Sequence, residues 1–196
     1  MNPILRDIPD RFETKRLLLR TPRPGDGRIL YDAVSESVEH LKPWMPWAHE
    51  PVTLEHEETI ARHAYADFLA RQDMMLLLIL KSTNTLIGGS GLHRFDWDVP
   101  RFEIGYWARA GYEGHGFISE AVNGITKFAF ERLSAERVDI HMDDRNIRSW
   151  RVAERCNFKH EGTLRNYARD VRGGLRDTRI YSKIRSEWLE ENNIGD

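Results

Sequence analysis

The chain has 196 residues, a formal net charge of −2 and a pI near 6.5, values that suit one domain with a sizeable core. This charge balance excludes a broadly basic surface, so we expect no nucleic-acid partner and no membrane partner. The only cysteine, Cys156, cannot form an internal disulfide and fits a reducing compartment, so we expect a cytoplasmic protein.

The first half of the chain predicts a strand and two helices inside a single domain that spans residues 1–196. Residues 1–12 are expected to form a loose lead-in. Charge and proline interrupt their apolar residues, which argues against a signal peptide. Capping residues mark where each helix should begin. The predicted elements are a strand at 16–21, a helix with Asp26 as its cap, and a helix at 54–71 with Thr53 as its cap.

The second half predicts strands and helices in alternation, closed by a hairpin. Its longest apolar run, residues 74–80, is far too short to cross a bilayer and is typical of a buried strand. Apolar residues at three- and four-residue steps predict a long helix at 115–133. The other predicted elements are strands at 74–81, 86–95, 102–108, 137–142, 158–168 and 176–184, and a helix at 146–155.

Three glycines, Gly111, Gly114 and Gly116, stand between the strand at 102–108 and the long helix. A helix start presents unpaired backbone N–H groups, and glycines let these groups approach a phosphate closely. No P-loop sequence occurs, and a dinucleotide fingerprint would need glycine where Ser119 stands. A tight strand-to-helix connection without a ligand explains the glycines equally well.

These segments resemble the acetyl-CoA motif of GNAT N-acetyltransferases, and most closely the RimJ/RimL branch that acetylates ribosomal proteins. The resemblance covers about residues 13–188 in an ordered set of segments. The central ones are Glu-Ile-Gly-Tyr-Trp at 103–107 and Glu-Gly-His-Gly-Phe-Ile-Ser-Glu-Ala at 113–121. The others are Glu-Thr-Lys-Arg-Leu-Leu-Leu-Arg at 13–20, the spaced residues Asn146, Ser149, Val152, Glu154 and Phe158, and Glu-Gly-Thr-Leu-Arg at 161–165.

The resemblance implies an α/β (α+β) GNAT fold, with a mostly antiparallel central sheet and helices on both faces. Its middle strands, here 102–108 and 137–142, are expected to splay apart and to hold the pantetheine of acetyl-CoA between them. Backbone N–H groups near Trp107 and Ala108 would meet the thioester oxygen. The pyrophosphate would lie on the N–H groups of Glu113, Gly114, His115, Gly116, Phe117 and Ile118, with Arg109 or His115 adding charge.

Attack of an amine on a thioester needs a base for the amine and a group near the leaving sulfur. Glu103 is the candidate base because a carboxylate inside an apolar strand needs a partner or a purpose. The alternative is an ion pair with Arg101 or Arg94. The resemblance implies that Ser149 lies near the sulfur and that Asn146 supports the cofactor. The alternative for both is helix capping.

The loop between the first two helices is the expected acceptor contact. Pro43 and Pro46 hold Trp44 and Trp47 in a semi-rigid segment, where the two indoles could line a substrate site or plug the fold.

In one respect the chain departs from the resemblance. Ribosomal-branch members can carry an acidic residue a few positions after the Glu-Gly-x-Leu segment, and that position here is near Ala168, beside Arg169 and Asp170. Three histidines, His93, His141 and His160, lack metal-ligand spacing, and no metal is expected.

The predicted activity is transfer of an acetyl group from acetyl-CoA to a primary amine, most directly the N-terminal α-amine of a protein. A small amine, such as an aminoacyl-nucleotide antibiotic or a polyamine, is the alternative acceptor. A non-catalytic CoA-binding domain is the alternative of another class, and the joint presence of Glu103 and Ser149 disfavours it. The sequence leaves open whether the chain forms a homodimer.

Overall fold

One sheet of eight strands runs through the protein, whose computed structural model describes residues 2–193. Its strands lie in the order β1-β2-β3-β4-β5-β6-β8-β7, and β5 with β6 is the only parallel pair of neighbours within the described residues. The mostly antiparallel sheet expected from the resemblance is confirmed. The strands are β1 Arg11–Glu13, β2 Leu17–Arg20, β3 Met74–Leu80, β4 Thr85–Asp96, β5 Arg101–Ala108, β6 Arg137–Asp143, β7 Lys159–Arg169 and β8 Leu175–Ile184.

Helices cover both faces of the sheet, because the apolar run of β3 needs burial on each side. Leu76 and Leu78 pack into the main core with α3, whereas Leu77 and Ile79 pack against α1 and α2 on the opposite face. No helix within residues 2–193 is long and apolar enough to span a membrane. The helices are α1 Gly27–Leu41, α2 Leu54–Leu69, α3 Phe117–Arg132, α4 Ile147–Arg155 and α5 Arg185–Glu191, with short 3-10 turns at Pro3–Leu5 and Pro46–His49.

Side-chain caps fix the starts of two helices as the sequence predicts. The side chain of Thr53 accepts the N–H of His56 at the start of α2, and Asn146 caps α4 in the same way. Asp26 also stands at a cap position, but its carboxylate makes no capping bond. It accepts hydrogen bonds from the Arg20 guanidinium instead, which ties β2 to the start of α1.

Three local features differ from the sequence-based expectation. The last two residues of the expected lead-in, Arg11 and Phe12, form β1 together with Glu13, and Phe12 stacks on Phe128 of α3 with ring centroids 4.6 Å apart. The proline-rich loop contains a 3-10 turn, since proline is tolerated at the first position of a helix. The short α5 was not predicted, and it is held by Trp188, which is buried against Phe130.

The parallel pair β5 and β6 separates soon after it begins. Only three residue pairs are in register, and the last of them joins Glu103 to Asp139. β5 nevertheless continues to Ala108 and β6 to Asp143. The splayed middle strands expected from the resemblance are therefore present, and the opening between them lies beside the start of α3.

A half-buried carboxylate fastens the start of α3 to the connection between β1 and β2. Glu120 accepts hydrogen bonds from the Thr14 hydroxyl at 2.6 Å, the Arg16 backbone N–H at 2.7 Å and the Arg16 guanidinium. Burial raises the pKa of Glu120, but these hydrogen bonds outweigh it and hold the pKa below its usual range. The glycine-rich turn is thereby held against the sheet edge.

Replacing Glu120 with alanine should destabilise the fold by about 1–3 kcal/mol, because the Arg16 N–H loses its acceptor. Urea unfolding at neutral pH measures this cost. The matched control is Glu131→Ala on the same helix, whose carboxylate lies 3.8 Å from Lys127 and should cost less than about 0.5 kcal/mol. The lowered pKa means that the stabilisation is present at neutral pH and is lost as the pH falls through that pKa. Equal costs for both variants would contradict this role.

Candidate active site

The opening between β5 and β6 forms a cleft that passes through the sheet. Ile104 and Tyr106 line it from the face that carries α3, and Gly105 and His141 line it from the opposite face. The start of α4, the tryptophan-rich loop and the turn between β7 and β8 complete its walls. The cleft encloses about 740 Å³ of open space. Two molecules approaching from opposite faces of the sheet can therefore meet in it.

Alternate backbone N–H groups of β5 point toward this cleft, and the register of β5 with β4 shows which ones they are. The Arg109 N–H donates to the Ile87 carbonyl of β4 at 2.8 Å, so the amide of Trp107, two residues earlier, also points to β4. The amides of Tyr106 and Ala108 point away from β4, toward the opening. The register thus aims the amides of Tyr106 and Ala108, and not that of Trp107, at the opening. His40 lies 3.0 Å from the Ala108 carbonyl.

The glycine-rich turn has the conformation that a phosphate cradle needs. Gly111, Gly114 and Gly116 have φ angles of 83°, 77° and 76°, in the left-handed region that favours glycine. Gly116 is the N-cap of α3 and offers no side chain to the first turn, which begins at Phe117. The N–H groups at the start of α3 therefore lack a capping side chain and can face an anion.

The cation beside this turn is one that the sequence did not indicate. Arg16 of the β1–β2 connection lies over the Phe117 ring at 4.3 Å and donates to the His115 carbonyl at 3.0 Å. His115 itself is exposed and lies beside the Phe117 ring. Arg109, the other expected cation, makes a two-point ion pair with Glu36. Its charge is therefore already compensated.

Ser149 and Tyr106 meet inside the cleft. The Tyr106 hydroxyl donates to the Ser149 carbonyl at 2.8 Å and lies 3.1 Å from Ser149 Oγ. Burial raises the pKa of the Tyr106 phenol, so it stays protonated near neutral pH. Asn146 accepts the Ser149 N–H at 3.1 Å and fixes the serine at the third position of α4. Sequence reasoning missed Tyr106, because nothing in a sequence reports a contact across 43 residues.

Glu103 lies where the two strands separate and contacts an arginine and a histidine. Its carboxylate is 3.4 Å from the Arg94 guanidinium and 3.3 Å from His141 Nδ1. The histidine contact is not aligned as a hydrogen bond. Arg101 pairs with Asp96 rather than with Glu103. His141 lines the cleft, so the ring stands between the open space and the carboxylate.

The two tryptophans of the loop lie in different surroundings. Trp44 lines the cleft beside Ser149, as a substrate contact would. Trp47 packs edge-on against Trp107 with ring centroids 5.9 Å apart, as a packing plug would. Trp107 lies on the face covered by α1 and α2. The two indoles of one loop therefore differ in their contacts, one bordering the cleft and the other packed on a neighbouring indole.

Asp170 is the acidic residue beside the position near Ala168 where the resemblance led us to look for one, and it lines the cleft. This carboxylate accepts hydrogen bonds from the Arg145 guanidinium and from the backbone N–H groups of Arg172 and Gly174. The bond from Arg145, followed by the backbone bonds, lowers the pKa of Asp170. Its oxygens are occupied in holding the β7–β8 turn, so Asp170 is a weaker candidate base than the Glu103–His141 pair.

The sequence matches a known family and a curated relative over most of its length. The family model described as "Acetyltransferase (GNAT) domain" matches residues 16–159. A protein of Bacillus subtilis strain 168, named "Putative ribosomal N-acetyltransferase YdaF", is 30% identical over 181 residues. That match covers 90% of this chain and 96% of the relative.

Solved structures share the fold at lower sequence identity. RimL, a ribosomal alpha-N-protein acetyltransferase solved in complex with coenzyme A, has a TM-score of 0.82 at 20% identity, covering 92% of this chain and 98% of RimL. MccE, a microcin self-immunity acetyltransferase solved with acetyl-CoA and AMP, has a TM-score of 0.80 at 22% identity, covering 87% of this chain and 93% of MccE. At these identities the likeness establishes the fold.

The different packing of the two tryptophans predicts different costs of truncation. Trp47→Ala should destabilise the fold by about 1–3 kcal/mol, because the indole packs against Trp107. Trp44→Ala should cost less than about 0.5 kcal/mol, because it mainly borders open space. The two indoles are almost equally exposed, at 37% and 38%, so each variant is the control for the other. Urea unfolding measures both costs, and a larger cost for Trp44→Ala would contradict the assignment.

Proposed function

The chain belongs to the GNAT family of acetyltransferases, and from this premise we propose that it acetylates the N-terminal α-amine of a protein, with acetyl-CoA as donor. The observation that carries the proposal is the cleft through the sheet, with Ser149 and the free β5 amides inside it. The names of YdaF and RimL, which concern ribosomal acetylation, support a protein acceptor.

The donor would enter from the face that carries α3. Acetyl-CoA, when bound, supplies the activated acetyl group. The N–H groups of residues 113–118 would hold its pyrophosphate, and the Arg16 guanidinium, which also pairs with Glu120, lies beside them. The outward amides of β5 would bond the extended pantetheine, as a missing strand would. Glycine at 111, 114 and 116 lets the turn approach the phosphates without a side chain between them.

The amine must lose a proton before it can attack the thioester. His141 faces the cleft and is backed by Glu103, so His141 would take the proton while Glu103 stabilises the imidazolium. Histidine is the side chain that most often exchanges a proton near neutral pH. In this proposal His141 is the base, and Glu103, the base expected from the sequence, would act through His141 rather than by direct contact with the amine.

Two further groups would stabilise the reacting atoms. The amide of Tyr106 would donate to the thioester oxygen as negative charge develops there, which leaves the Ala108 amide, about 6.6 Å further along the strand, for the pantetheine. As the C–N bond forms and the C–S bond breaks, the Ser149 hydroxyl would hydrogen-bond the departing thiolate. The raised pKa of Tyr106 makes it a poor proton donor, so its part is to hold Ser149 in place.

A cytoplasmic location fits this proposal, because acetyl-CoA and newly made protein N-termini meet there. The buried Cys156 fits it as well. Burial raises the pKa of this thiol to about 11, and its Sγ donates to the Ser119 carbonyl, as expected of an unreactive structural cysteine.

The direct experiment follows CoA thiol release from acetyl-CoA with short peptides that have free N-termini. Mass spectrometry then locates the added acetyl group. The proposal predicts thiol release with peptides and an acetyl group on the α-amine. Turnover with small amines alone, and none with any peptide, would overturn the protein acceptor.

The phosphate cradle predicts a specific loss of donor binding. Gly116→Val should weaken CoA binding at least about tenfold, because valine disfavours a φ angle of 76° and adds bulk beside the phosphates. Calorimetric titration with CoA measures the effect, and a melting curve checks that the variant is folded. Gly162→Ala, in β7 and away from the turn, is the matched control. Equal CoA affinity in both folded variants would contradict the assignment of this turn as the phosphate-binding site.

The Glu103–His141 pair predicts two coupled losses of rate. Glu103→Gln and His141→Gln should each lower kcat by about 10²–10⁴-fold near neutral pH, and the double variant should be little worse than either. Raising the pH should restore part of the rate, because more of the amine is then deprotonated. Ser149→Ala should also lower kcat, but without recovery at high pH.

Arg94→Gln is the control for this pair, since Arg94 contacts Glu103 but is 70% exposed and does not line the cleft. It should keep a rate close to that of the wild type. If Glu103→Gln and Arg94→Gln both turn over normally, Glu103 is a surface ion-pair residue and the base lies elsewhere.

A further inference from the structure

A second cavity lies beside the active-site cleft, between the sheet and helices α1 and α2. It encloses about 1080 Å³ of open space and is mainly apolar. Trp47 and Trp107 give it aromatic walls. Met45, Gly105 and Tyr106 border both this cavity and the cleft. The two spaces are therefore adjacent on β5, and one molecule can occupy both.

A buried carboxylate without a partner faces this cavity. Glu57, in the first turn of α2, is only 6% exposed. Within residues 2–193, no side chain or backbone group donates a hydrogen bond to its oxygens, whereas Glu58 beside it accepts two backbone N–H groups. Burial raises the pKa of Glu57. No group in the described part of the chain satisfies this carboxylate, and it lines the cavity, so its oxygens are free to accept a hydrogen bond from a ligand there.

The charges around the cavity select the kind of ligand. Its lining contains neither lysine nor arginine. His56 lies 3.3 Å from Glu50, and His93 lies 2.7 Å from Asp73, so carboxylates already face both histidines. Aromatic faces and an unpaired carboxylate together favour a cation attached to an apolar chain.

We propose that this cavity binds a cationic alkyl arm of the acceptor, with its ammonium group on Glu57, while the reacting amine lies in the cleft. This inference rests on the proposed acetyl transfer and names its acceptor: an amine whose second positive charge sits at the end of a hydrocarbon chain. A lysine side chain at the start of a peptide has this chemistry, and so does a free diamine.

The test compares matched acceptors and matched variants. Peptides that begin with lysine or with norleucine differ only in the terminal ammonium, and the diamine cadaverine against pentylamine gives the small-molecule arm. Wild-type kcat/KM should favour the cationic member of a pair by about 10–100-fold, the range for a hydrogen bond to a charged group. In Glu57→Gln this ratio should fall close to one. Glu55→Gln, exposed in the same turn of α2, should keep the wild-type ratio.

If the lysine peptide is preferred over the norleucine peptide, the cationic arm belongs to a protein N-terminus. If only cadaverine is preferred over pentylamine, the arm belongs to a polyamine-like substrate. A wild-type ratio near one in both pairs, or an unchanged ratio in Glu57→Gln, would overturn the proposal.

Calorimetric binding of the two peptides to the CoA-bound protein separates this inference from the proposed function. Suppose that the lysine peptide binds more tightly, that Glu57→Gln loses this difference, and that no acceptor turns over. The cavity assignment would then stand and the acetyl transfer would be refuted. Turnover of both peptides without a difference in binding would leave acetyl transfer standing and refute the cavity.

Discussion

The site depends on the separation of two parallel strands after only three residue pairs. Beyond Glu103, alternate N–H and C=O groups of β5 point toward β6 and find no strand there. Backbone groups away from water need partners, so the opening suits an extended ligand with amide groups of its own. The same separation lets side chains from both faces of the sheet reach one space. A closed sheet would keep donor and acceptor apart.

Contacts with neighbouring elements hold the residues around this opening in place. The Asn146 cap fixes the first turn of α4, and the Tyr106 hydroxyl holds Ser149 against β5. Glu103 and His141 lie together where the strands part, at the edge of the opening. Glu120 fastens the glycine-rich turn to the edge of the sheet. Each contact joins elements that are distant in sequence, which makes the site a property of the tertiary structure.

Local sequence signals predicted most strands, helices and caps, but they could not predict contacts between residues that are distant in sequence. The strand, glycine turn and helix around Gly116 follow from periodicity and backbone preference, as does the cap at Asn146. The sequence could not show that β5 and β6 part early; the splay was expected from family resemblance alone, and the parallel pairing was not predicted. The places of Tyr106, His141 and Glu57 were not predicted either, because only folding across strands and helices brings them to the cleft and cavity.

The central claim is that the opening between β5 and β6 binds the donor and carries out the transfer. A crystal structure of the protein with CoA tests it most directly. The account predicts pantetheine between the two strands, pyrophosphate on the N–H groups of residues 113–118, and the sulfur within hydrogen-bond distance of Ser149 Oγ. CoA bound elsewhere, or strands that close on each other in the complex, would contradict it.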